Sequence, residues 1–227
     1  MALSIAGGAV LHREIMSVKI IKHRVAKGIY LLRFKTQYEL AATFLRVQEY
    51  YESPKFHGRI FSLEQYMDWY AARYGNFTYY KDWSGFNVPS TAFAAFFQGK
   101  FDPLSEKETQ LLRLFRSLHD RFYVIGIHER GAKSTLTHEL AHALFFTDEA
   151  YRRAVLAAMR EYDTYALERK LADVGYGKHV IPDEVQAYLV GPSTELSPAS
   201  RRLAPLRRKL RALFKSHSQG FSLPKLS

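Results

Sequence analysis

The sequence predicts an α+β fold, rich in helix and built around a small sheet. Three observations carry this expectation. Apolar residues recur at helical spacing over residues 36–52, 134–146 and 148–162. Two short apolar runs, residues 28–34 and 121–128, have the aliphatic and aromatic composition of strands. Ser62-Leu-Glu-Gln65 and Ser105-Glu-Lys-Glu108 are capping-box patterns that open two further helices.

Taken in order, residues 1–27 read as a flexible N-terminal segment. Its apolar start lacks a basic flank and contains Gly7-Gly8, so Met16 is an alternative initiator and a secretory leader is the weaker reading. Residues 28–191 form the main domain. In it, Gly75 stops the helix opened at Ser62, and residues 76–89, with Phe77, Tyr79, Tyr80, Trp83 and Phe86, read as an aromatic loop pinned to the core, with a substrate-cleft wall as the alternative. A short helix over residues 90–98 and one from Ser105 to about Leu118 precede the strand at 121–128. That strand reads either as an ordinary core strand or as an open edge able to hold an extended peptide. Helices follow over about 164–173, up to Gly175, and over 183–189, where Pro182 sits at a tolerated first-turn position. Residues 192–227 form a basic C-terminal helix and tail.

Charge separates that tail from the domain. The chain carries +11, but from residue 196 onward there are eight Lys/Arg and no Asp/Glu; the rest, 25 Lys/Arg against 22 Asp/Glu, is only +3. A helix over residues 197–217 with Leu203, Leu206, Leu210, Leu213 and Phe214 on one side could meet nucleic acid or an anionic membrane, or lay its leucines on the domain. The chain has no cysteine, which excludes disulfides and thiolate metal sites, so a metal must use His and carboxylate ligands. The lack of cysteine fits a cytoplasmic protein, with secretion as the alternative. No apolar run approaches 18 residues, so no membrane-spanning helix is expected.

The chemistry concentrates in residues 134–146. Ser134 or Thr135 can cap a helix there, and Leu136, Leu140, Ala143 and Leu144 give it an apolar stripe. Within it, His138-Glu139-Leu140-Ala141-His142 is an H-E-x-x-H pattern. Residues four apart share a helix face, so His138 and His142 can present two imidazoles to one zinc ion, with Glu139 beside them as a base. A third ligand is expected from further along the chain. Asp148 lies six residues after His142, a spacing similar to that of metzincin-type sites, but Phe145 stands where that pattern has a chain-turning glycine. Glu161 sits on what reads as one straight helix leaving the site, which would carry it about 20 Å away. Glu184 opens a fresh helix after a glycine-rich turn, and small Ala187 lets that helix pack closely, so Glu184 is preferred. Tyr188, one turn from Glu184, is the candidate oxyanion stabiliser, with Tyr176 and His179 as alternatives. His119 and His128 read as structural.

His138-Glu139-x-x-His142 with a helix-borne downstream glutamate resembles the zincin metallopeptidases, most of all the gluzincin branch, over about residues 134–188. The resemblance implies a zinc-dependent peptidase acting on peptide or protein substrates, its active-site helix packed beside a small sheet. The competing expectation is a nucleic-acid or anionic-membrane binding protein that works through residues 197–217, with a non-catalytic metal site.

Overall fold

Period-two alternation decides how the sheet is used. The structure, a computed structural model, describes residues 18–129, 132–192 and 202–225, with the backbone alone for 132–135. Its strands are β1 (Ile21–Ala26), β2 (Ile29–Phe34), β3 (Gly85–Pro89) and β4 (Tyr123–His128), in spatial order β1-β2-β4-β3. β2 and β4 pair in parallel; β1 and β3 pair antiparallel to their neighbours. Ile29, Leu31, Tyr123, Ile125 and Ile127 point into one core, while Leu32, Phe34 and Val124 point into the other. Both parities are apolar because helices cover both faces.

One face carries α1 (Gln37–Glu52), α2 (Leu63–Tyr74), the one-turn α3 (Tyr79–Asp82), α4 (Ser90–Phe97) and α5 (Glu106–Arg113). The other carries α6 (Ala132–Thr147), α7 (Glu149–Met159), α8 (Tyr165–Val174), α9 (Ile181–Val190) and α10 (Ala204–His217). The protein is therefore α+β, with ten helices and a four-stranded mixed sheet among the described residues. No helix among these residues is long and apolar enough to cross a membrane.

The capping boxes at Ser62 and Ser105 both form, and Thr36 with Glu39 makes a third at the head of α1. Several expectations need correction. Residues 21–26 belong to the sheet rather than to a flexible segment. Their charged alternation disguised an edge strand in which only Val25 is buried. Residues 76–89 are not an irregular loop: they contain α3 and β3. β3 is short and mixed in composition, and its pairing with β4 makes it a strand. β4 is consequently interior, not an open edge; β3 is the outer strand on that side. α5 stops at Arg113 because the Leu114 and Phe115 amides bond back three residues, to Leu111 and Leu112, which tightens the last turn. α6 starts at Ala132, so Ser134 and Thr135 lie inside its first turn instead of capping it. Residues 1–17, including Met16, and 193–201 lie outside the described residues.

The basic C-terminal helix docks. Leu203, Leu206 and Leu210 are buried in the core that α7 and α9 share. Arg211 donates to the carbonyls of Val190 and Gly191, and Arg207 to Gly191, so two guanidiniums sit at the C-terminal end of α9. Those leucines are therefore occupied, and contact with an anionic partner would fall to exposed charges such as Arg208 and Lys215.

α1 is held at two points, one against α5 and one against the sheet. Arg46 makes a buried two-pronged pair with Glu108, at 2.6 and 2.7 Å, and donates to the Phe101 carbonyl. At Gly126 on β4 a Cβ would meet Leu40 and Phe44 of α1 at 2.7 Å, so the helix approaches over bare backbone. Gly126→Val should lower unfolding stability by about 1–3 kcal/mol, the usual cost of overpacking, as read from a denaturant midpoint.

Candidate metal centre

α6 and α9 cross so that three side chains converge. Ala187 is fully buried where α9 meets α6, and Gly191 packs against the His138 backbone side, a Cβ there standing 3.4 Å from the His138 Cβ. His138 and His142, one turn apart on α6, bring their Nε2 atoms to 3.1 Å of one another. Glu184 of α9 places Oε1 3.6 Å from His142 Nε2 and Oε2 3.7 Å from His138 Nε2. One ligand atom from each residue lies within 4.8 Å of the others.

The outer contacts come from α9 as well. His142 Nδ1 lies 2.9 Å from Asp183 Oδ1, an off-line ion contact, and His138 hydrogen-bonds the Ala187 backbone. A metal held at the two Nε2 atoms would leave the Nδ1 side of each ring for these outer contacts. Glu139 lies beside the cluster and accepts a hydrogen bond at Oε2 from Asn87 Nδ2 at 2.7 Å. Parity explains Asn87: on β3, Phe86 and Val88 enter the core under α1, and Asn87 between them turns toward α6. Tyr123 OH donates to Asn87 Oδ1, which orients the amide so that its nitrogen faces Glu139.

Burial dominates the electrostatics. It pushes Glu139 above the usual carboxylate range against the pull of His142 and Asn87. Burial raises Glu184 too, as do Asp183 and Glu139, with His142 opposing. Glu52, from the end of α1, is held well above its ordinary value by burial and then by Glu184. Burial alone would lower His142, but Asp183 and Glu184 hold it well above its ordinary value. Burial and the neighbouring His142 take His138 down to about 3. Four carboxylates thus crowd two imidazoles in a buried space.

The residues fit a divalent cation. His138 Nε2 and His142 Nε2 face one another at 3.1 Å, and Glu184 Oε2 is buried with no hydrogen-bond partner among the described residues. Nitrogens bound tetrahedrally at zinc distances of about 2.0–2.1 Å stand roughly 3.3 Å apart, close to the separation here. Two imidazoles and one carboxylate form a donor set that suits zinc.

The other expected residues fall in different places. Tyr188 lies at the site, its ring edge-on to His138 at 4.9 Å, and Tyr176 OH is 3.4 Å from Tyr188 OH. His179 lies outside the cluster, 2.9 Å from the Tyr51 carbonyl and against His57. Asp148 caps α7 through the Tyr151 amide and contacts His217 at 2.7 Å. Glu161 is paired with Lys209 at 2.8 Å on the surface. Sequence reasoning missed Asn87, Tyr123, Asp183 and Glu52. Only Asp183, adjacent to Glu184 at the start of a helix, left a readable signal.

The cluster opens on a cleft of about 860 Å3 that extends to α2 and is lined by the end of α1, α2, Tyr79, residues 82–87, α6 and α9. Fold and site together define an α+β protein with a buried His-His-Glu cluster at one end of an aromatic cleft. No protein-family model, curated protein or solved structure matches the chain.

Proposed function

We propose that the protein is a zinc-dependent metallopeptidase of zincin type, similar to the gluzincins. The observation that carries this reading is the convergence of His138, His142 and Glu184 beside a buried Glu139 that is not needed as a ligand. Those three residues would hold the metal. Zinc bound there would supply Lewis-acid polarisation of the scissile carbonyl and a water acidified to a pKa of about 7. Glu139 is the general base. Asn87 holds its Oε2, which leaves Oε1 to take the proton of the attacking water and return it to the leaving amine. Tyr188, edge-on to His138, is the residue we assign to the developing oxyanion. The cleft gives room for several residues of an extended substrate.

Purified protein should carry about one zinc per chain and hydrolyse members of a mixed peptide library. A chelator should stop hydrolysis and added zinc should restore it. Zinc-loaded protein that cleaves no library peptide would refute the proposal.

Asn87 offers a subtler check. Its hydrogen bond lowers the Glu139 pKa, so Asn87→Ala should raise it. A base works when ionised, so the acidic limb of the kcat/KM profile should move to higher pH, with a loss of about tenfold or more near neutrality. An unshifted limb would mean that Asn87 does not position the base.

A further inference from the structure

Away from the metal centre, the cleft is walled by rings and acceptors. Trp69, Tyr70 and Tyr79 line this arm together with Glu49 and Asp82. No Lys or Arg lines the cleft among the described residues, although the chain as a whole carries +11. Three of the tyrosine hydroxyls are committed to these carboxylates: Tyr79 and Tyr66 hydrogen-bond Glu49, and Tyr70 donates to Asp82 Oδ2 at 2.5 Å. Gln48, only 9% exposed, also lines the cleft. Its Nε2 donates to Glu52 at 2.5 Å, and its buried Oε1 has no hydrogen-bond partner among the described residues. This arm therefore offers ring faces and carboxylates with no cation beside them among the described residues, a lining that suits a donor-rich cationic ligand.

We propose that this arm is a specificity pocket for a long cationic side chain, lysine or arginine, of the peptide substrate. The proposal rests on the peptidase reading for its substrate class. A lysine or arginine stem packs on aromatic faces while its head meets the rings and carboxylates. Arm and metal centre are continuous: Glu52 lies close enough to Glu184 and Glu139 to feel their charges, and Glu49 is one helical turn back along α1, about 4.5 Å along its axis. A residue flanking the scissile bond can thus send its side chain up the arm. Burial pushes the Glu49 carboxyl up to about 7, against hydrogen bonds from Tyr79, Tyr66 and Ser53, and a cation seated there would favour its ionised form.

The test uses matched fluorogenic peptides that differ only in arginine or norleucine at positions flanking the cleaved bond. Hydrolysis is measured on the zinc-supplemented full chain. Binding of the same peptides is measured by fluorescence anisotropy on Glu139→Gln, where cleavage does not interfere. Arginine should be preferred at least about tenfold in kcat/KM and in affinity, and Glu49→Gln should bring both ratios within about threefold. Equal use of both peptides, or a preference for norleucine, overturns the pocket while leaving the peptidase reading intact. Arginine-selective binding that Glu49→Gln removes, with no hydrolysis of any peptide, supports the pocket and removes the peptidase. Absence of both binding and hydrolysis overturns the two together. Should Glu49→Gln fail to fold, Asp82→Asn at an exposed carboxylate takes its place. A threefold or greater fall in the ratio is then expected, and an unchanged ratio overturns the proposal.

Discussion

Glu139→Gln should keep its zinc and lose at least about a hundredfold in peptide hydrolysis, the scale on which a general base contributes. The substitution preserves the size of the side chain and a partner for Asn87, so the fold and the His-His-Glu cluster should persist. What disappears is the carboxylate that can accept a proton. The loss should fall mainly on kcat, because Glu139 acts in the chemical step and not in holding substrate. Metal content and turnover must be read on the same sample. Unchanged hydrolysis with full metal occupancy would remove the proposed mechanism, whatever binds at the site.

The second large effect concerns the ligands. His142→Ala and Glu184→Ala should each reduce zinc affinity by more than the roughly 10- to 100-fold that loss of an outer hydrogen-bond partner costs, and Asp183→Asn should fall within that range because it meets the cluster from outside, at His142 Nδ1, while Gln186 Nε2 holds it on α9. Asp148→Ala and Glu161→Ala should leave zinc content unchanged, since one carboxylate caps α7 and the other pairs with Lys209. Zinc retained in Glu184→Ala would dissolve the three-residue centre. Chelation should also lower the thermal midpoint of the wild type, because a ligand bound only to the folded state stabilises it. Two cores independent of the metal should keep the protein folded once zinc is gone.

Some of the sequence was open to direct reading and some was not. Capping boxes at Ser62 and Ser105 and the strand runs at 28–34 and 121–128 were visible because each is a local pattern of donors, acceptors or β-branched and aromatic residues. β1 was missed because an edge strand buries one residue, Val25, and otherwise looks like a polar segment. β3 was missed because Gly85-Phe-Asn-Val-Pro89 is a strand by virtue of its partner. For the same reason the role of β4 as an interior strand could not be read from its own composition.

The sequence by itself determined that His138 and His142 share one helical face with Glu139 beside them, because 3.6 residues per turn makes that a local consequence of their spacing. It also determined that any metal here takes nitrogen and carboxylate ligands, since there is no cysteine. Only the tertiary structure decided which carboxylate stands beside the histidines. Asp148, Glu161 and Glu184 differ in where the chain carries them, and Glu184 arrives because α9 packs on α6 through Ala187. Tertiary structure likewise brought Asn87 to Glu139, 52 positions away in the chain, through sheet pairing and strand parity. Helical periodicity orders neighbours along one element. Contacts between elements depend on how both cores close around the sheet, and no single stretch of the chain encodes that.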